Sequence, residues 1–171
     1  NVVKQVLQNK PVASQYNDEV KQWIQGVDPK RANNEMRIVG TLDPEFVKVL
    51  SSRNIALDSA ALVVHDKYTL GHLDKERKKH DREWVENVVE HLNGRHDLYL
   101  DVETNTPLLV FDVKRDGHVY KLVLQINKAL NAKDQTGSKQ KITGNLIRTI
   151  VIEELVNLTN GKRYEFLGSK K

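Results

Sequence analysis

Cysteine is absent from the 171 residues, which removes disulfides, thiolate nucleophiles and cysteine-based zinc sites together. Any staple must come from packing, and any nucleophile from another residue type. Such a chain fits a reducing compartment and equally a protein indifferent to compartment. Long apolar runs are missing too: none approaches the length that crosses a bilayer as a helix, and no leader-like pattern opens the chain. The sequence holds no P-loop, no GxGxxG after a strand, no HExxH, no GxSxG elbow and no EF-hand loop, so nucleotide-driven and serine-hydrolase readings have nothing to stand on. Internal repeats and low-complexity segments are also absent.

What is present is a globular composition, 39% hydrophobic and 29% charged, far from the disordered range. The length fits one domain, or one domain with an arm. The net charge of +4 leans toward phosphate-rich partners through counterion release, although many unrelated proteins share such a balance.

Residues 1–35 read differently from the rest. Val3, Val6 and Leu7, then Val20, Trp23 and Ile24, fall at helical spacing, broken by Lys10-Pro11 and closed by Gly26-Val27-Asp28-Pro29. This segment is either a helical arm or linker, or a first helix of the core. Residues 36–171 form the α+β domain. Met36–Leu42 reads as a strand. Asp43-Pro44 opens a helix, with Asp at the N-cap and Pro at the first helical position. Ala60–Val64 is a second strand, and Thr69-Leu70-Gly71-His72 leads into the longest helix signal, which runs to Leu92 and stops at Asn93-Gly94 in the manner of a left-handed cap. Trp84, Val85, Val88, Val89 and Leu92 form its core face; Asp74–Arg82 has no apolar residue. Leu98–Val102, Leu108–Val113, Val119–Ile126 and Leu146–Ile152 are strands, Asp116-Gly117 is a hairpin turn, and Tyr164–Leu167 is an edge strand. Between them, residues 127–145 read as a long polar loop carrying Lys128, Lys133, Lys139 and Lys141, either a flexible solvated segment or a flap that grips a polyanion.

Few residues offer chemistry. His72, Glu76 and His80 fall at i, i+4 and i+8, but the outer two of such a set stand about 12 Å apart on a helix, too far to share one ion. No metal and no cofactor is expected. His72 itself sits where a strand hands over to a helix, a place from which side chains project beyond a sheet, and a histidine there acts as general acid or base or as a helix cap. Arg148-Thr149 lies in the last strong strand, where alternate residues point to opposite faces. Arg148 either forks onto phosphate or joins a structural ion pair with Asp112 or Asp101, and Lys121 on the neighbouring strand is a second cation.

The order strand, helix, strand ending in Thr69-Leu70-Gly71-His72, long helix, then a meander closing in Leu146-Ile147-Arg148-Thr149, together with Val39-Gly40-Thr41-Leu42 and Ala61-Leu62-Val63-Val64, resembles the phage-associated barnase–EndoU–colicin–RelE nuclease domains found C-terminal to phage Mu F-like minor head (head morphogenesis) proteins. The resemblance covers residues 36–167. It implies a helical part and one long helix packed on a curved, mainly antiparallel sheet, and a metal-independent, toxin-like ribonuclease acting on RNA, tRNA among the candidates. His72 would be the acid or base, and Arg148 and Thr149 phosphate ligands. Lys121 and Lys75 are assigned from charge and placement, and Lys139 and Lys141 as substrate-binding lysines of the loop. His65 and His80 are the nearest second histidines. Residues 1–31 would be the tail of an upstream virion module, as an opening Asn1 in place of Met suggests. Capsid or portal proteins, or an immunity protein, would be the protein partners, in the cytoplasm or the virion. The alternative is a non-catalytic structural or binding module of a phage particle. A duplex-DNA-binding domain has only the half-polar helix behind it.

Overall fold

A computed structural model describes residues 14–75, 82–115, 117–159 and 161–170. Val3, Val6 and Leu7, as well as Glu76, His80 and most of the apolar-free half-helix, lie outside them. The protein is mixed α+β, built on one seven-stranded sheet in which, among the described residues, one strand-to-strand pairing is parallel, alongside an isolated parallel bridge between Glu35 and Lys133.

Helix α1 (Ser14–Gly26) belongs to the core: Tyr16, Val20 and Ile24 are buried in the main apolar cluster, and the Tyr16 hydroxyl donates to the Ile38 carbonyl. Strand β1 (Met36–Thr41) leads to α2 (Pro44–Ser52), capped as the sequence predicts, with the Asp43 carboxylate accepting from the Glu45 N–H. Strand β2 (Ala61–His65) is buried throughout. A π-helical turn, Asp66–Gly71, then runs into α3 (His72–Lys75). Helices α4 (Arg82–Glu86) and α5 (Val88–Asn93) supply the expected core face through Val85, Val88, Val89 and Leu92. The continuous long helix is not observed there. The backbone breaks at Asn87 (φ −101°, ψ 23°), whose side-chain amide donates to the Glu83 carbonyl, as asparagine commonly does when it competes with the helical ladder. Nor does Gly94 form a left-handed cap. It is extended (φ −95°, ψ −174°) because the chain passes at once into the next strand, where His96 hydrogen-bonds the Gly94 carbonyl.

The remaining strands are β3 (His96–Asp101), β4 (Thr106–Arg115), β5 (His118–Lys133), β6 (Lys139–Glu154) and, after the short helix α6 (Leu155–Thr159), β7 (Tyr164–Lys170). The spatial order is β1-β2-β6-β5-β4-β3-β7. Alternation divides the sheet. Leu98, Leu100, Leu109, Phe111, Leu122, Leu124, Ile147 and Ile150 face the helices in the main core, where Trp84 stacks on Tyr120 at 4.2 Å. Two smaller clusters occupy the opposite face. One gathers Tyr99, Leu108, Val110, Val119 and Leu158 near α6. The other gathers Met36, Ile38, Ala61, Val63, Leu130 and Ala132.

That last cluster explains the principal departure from the expected topology. Residues 127–145 are not a polar loop but the outer half of a long β5–β6 hairpin, paired from Lys128↔Gly144 to Lys133↔Lys139. Leu130, Ala132 and Ile142 alternate with the lysines and bury themselves over β1 and β2. The arm also bonds back to the start of β1, Lys133 N–H to the Asn34 carbonyl and Asn34 side chain to the Asn131 carbonyl. Gly144 permits the close approach: a Cβ there would stand 2.9 Å from Val63 Cγ2. Gly144→Ala should therefore cost about 1–3 kcal/mol as overpacking does, read as a lowered denaturant midpoint. An unchanged midpoint would mean that β2 yields freely.

Candidate functional site

The turn after β2 is held by side chains rather than by its own ladder. His65 is buried, and its Nδ1 accepts from the backbone N–H of Lys67 (3.0 Å) and of Tyr68 (3.1 Å). The proton therefore sits on Nε2, which donates to Asn34 Oδ1 at 2.9 Å. Burial pushes the His65 pKa below its ordinary value, against the raising influence of Asp66, so the neutral ring is favoured. The Thr69 hydroxyl donates to the Ile147 carbonyl at 2.5 Å and accepts from the His65 N–H at 3.0 Å, tying the turn to β6. Leu70 and Leu73 root the segment in the main core, which leaves Lys67, Tyr68 and His72 beside a cavity. Thr69→Val keeps the shape but strands a buried carbonyl and an N–H. A loss of about 1–3 kcal/mol is expected, measured by urea unfolding.

Strands β5 and β6 complete the cavity through two irregularities. Val123 pairs with Thr149 and Leu124 with Ile147, so Arg148 is an extra residue bulged out of β6. On β5, Gln125 pairs with Leu146 but Lys128 with Gly144, so Ile126 and Asn127 stand opposite Asn145 alone. Asn127 takes the left-handed conformation (φ 53°). Its side chain donates to the Ala56 carbonyl and accepts from the Asp58 N–H, while the buried Asn145 amide donates to the Ser59 and Ala61 carbonyls. Bulges redirect side chains and are common beside functional sites. Here they bracket the cavity: Arg148 and Lys128 turn into it from either side of the Gln125–Leu146 pair. The Arg148 guanidinium donates to Gln125 Oε1 at 3.1 Å.

The result is a cavity of about 340 Å³ with Lys67, Lys128 and Arg148 around His72, and with no carboxylate among the described residues lining it. Three basic side chains in a concavity attract an anion, and Arg148 is able to bind phosphate in a bidentate manner. Tyr68 stands at the rim, its ring stacked on His65 with centroids 4.3 Å apart and its side chain about half exposed.

Two of the residues singled out by sequence, His72 and Arg148, thus meet at one cavity. Thr149 does not line it: it is buried beside Val123, which packs against the cluster near α6. Lys121 is also buried elsewhere, 3.3 Å from Glu153 and 5.7 Å from the Tyr164 ring centre. Burial pushes the Glu153 carboxyl up, but hydrogen bonding from Asn157 and the Lys121 charge outweigh it and hold it below the usual range. The ion-pair role thus falls to Lys121 with Glu153, while Asp101 is taken by Arg163 at 3.0 Å. Lys139 and Lys141 are exposed on the outer hairpin arm, away from the cavity lining. Lys75 closes α3, and its side chain lies outside the described part. His65 serves the turn and is sealed from solvent. Among the described residues no His, Asp and Glu group is placed to hold a metal ion, and no helix is long and apolar enough to cross a membrane. Lys67, Tyr68 and Gln125 were not singled out by sequence reasoning, and Lys128 was named only among the four lysines of the expected 127–145 loop. Asn127 and Gly144-Asn145, which interrupt otherwise strand-like runs, were the available signal for the kink.

Comparison with family models, with curated proteins and with solved structures finds no match to this chain.

Proposed function

We propose that the chain is a metal-independent endoribonuclease-like domain, of the barnase–EndoU–colicin–RelE kind carried by phage or prophage proteins, and that its cationic cavity is the active site. The observation that carries the reading is the meeting of His72, from the start of α3, with Arg148, from the β6 bulge, in one concavity ringed by lysines. Phosphodiester cleavage needs a proton acceptor at the 2′-hydroxyl and cations that stabilise the charge building on phosphorus. In the proposed step His72 removes the 2′-hydroxyl proton, and the 2′-oxygen–phosphorus bond forms as the phosphorus–5′-oxygen bond breaks. The departing 5′-oxygen takes a proton from a cavity ammonium group, Lys67 or Lys128, and Arg148 holds the non-bridging oxygens. Thr149 and Lys121 have no part in this step. A small acidic immunity protein is a fitting partner for such a cavity, and tRNA is one fitting substrate.

The test is direct. Purified protein incubated with RNA in EDTA should yield fragments ending in 2′,3′-cyclic phosphate. RNA that is bound yet survives long incubation would instead assign the cavity to a non-catalytic module of a phage head morphogenesis protein. RNA neither bound nor cut would remove the nuclease reading, and failure to associate with capsid or portal proteins would remove the alternative.

A further inference from the structure

Resting on the reading of the cavity as an RNA-phosphate site, we infer that Tyr68 is a stacking platform for one unpaired nucleobase, which makes single-stranded RNA the substrate class. Among the described residues, Tyr68 is one of few large apolar side chains left exposed, at 47%, and it stands on the lining of the cationic cavity rather than on a remote surface. Its ring is held from beneath. His65 lies parallel to it (20° between planes), is 2% exposed, and grips the Tyr68 backbone N–H through Nδ1. An aromatic ring fixed on one side and open on the other loses little freedom on stacking a base, and such contacts are indifferent to base identity.

The upper face is only loosely occupied, by the Lys128 ammonium 5.9 Å from the ring centre, the outer limit of a cation–π contact. The flexible lysine stem lets that charge lift to a phosphate while a base takes the ring. Size points the same way. A cavity of about 340 Å³ is near the lower end for ligand sites, roughly 300–1,000 Å³, and holds a single nucleotide unit rather than a base pair. A base enters it only when splayed from its neighbours, as in loops and single strands.

Fluorescence anisotropy with a short 2′-O-methyl RNA strand, which binds without being cut, separates stacking from phosphate contact and from catalysis. The single strand should bind at least tenfold more tightly than the same strand annealed to its complement. Tyr68→Ala should weaken single-strand binding by about tenfold, within the range for a lost base–aromatic stack, and leave its salt dependence unchanged, whereas Tyr68→Phe should retain parent affinity. Arg148→Ala should weaken binding and flatten the salt dependence. Equal affinity for strand and duplex, or Tyr68→Ala binding like the parent while Arg148→Ala binds weakly, would overturn the stacking role and leave the phosphate site standing. A parent protein that binds neither form would overturn both.

Discussion

His72→Ala is expected to slow RNA cleavage in EDTA by about 10²–10⁴-fold, the usual contribution of a positioned acid or base, while thermal unfolding shifts little. His72 is the histidine of the cavity lining and is only partly buried, at the first position of α3. Its loss therefore removes a proton carrier without opening a hole in the core. Arg148→Ala should act differently: an exposed guanidinium bonded to Gln125 is lost, substrate binding and turnover both fall, and Arg148→Lys restores charge but not the bidentate fork. The readout is the rate of appearance of cyclic-phosphate ends in single-turnover assays. If both His72→Ala and Arg148→Ala cleave like the parent, the activity resides elsewhere and the assignment of the cavity is wrong.

The second large effect concerns acid stability and centres on His96. This ring is buried between Phe111, stacked at 4.7 Å, and the edge of Phe46. Burial pushes its pKa from 6.5 down to about 4, outweighing the raising effect of its hydrogen bond to the Gly94 carbonyl. The native state thus refuses a proton that the unfolded chain accepts near pH 6.5. Stability is complete above that value, falls as pH drops through it, and stops falling on this group's account near pH 4. Linkage puts the whole effect at about 3 kcal/mol, of which about 2 kcal/mol falls between pH 7 and pH 5. His65 and His91, also lowered by burial, act in the same direction. Asp101 and Glu153, held below the ordinary carboxylate range, lose their contributions only at lower pH, so the window from 7 to 5 reports on histidine. His96→Phe should make the decline of unfolding free energy across that window markedly shallower, whatever it does to stability at pH 7. Parallel curves for parent and variant would rule out His96 as the source.

Much of the framework was legible from local pattern. Asp43-Pro44 opens α2 as expected, Gly117 supplies the left-handed turn between β4 and β5 (φ 71°), and β-branched runs became strands. The mixed α+β class follows from these alone. Local pattern failed where distant residues decide. Residues 127–145 look polar enough for a loop, because besides Ala129 only Leu130, Ala132 and Ile142 are apolar in them. Their strand character appears once those last three side chains meet Met36, Ile38 and Val63 from β1 and β2. Asn87 breaks a helix whose spacing was continuous, and Lys121, a plausible site cation by sequence, is neutralised by Glu153, its near neighbour only across the β5–β6 ladder.

The amino-acid sequence by itself determined the absence of cysteine chemistry, the alternation of helices and strands, and the candidacy of His72 and Arg148, because composition and short-range periodicity are properties of neighbours in the chain. Only the tertiary structure decided that these two share a cavity and that Thr149 and Lys121 do not. The β6 bulge cancels the strict alternation of a regular strand, and the Thr69 bond to the Ile147 carbonyl carries the β2 turn to the same place. Both depend on registers between segments far apart in sequence, which no local pattern encodes.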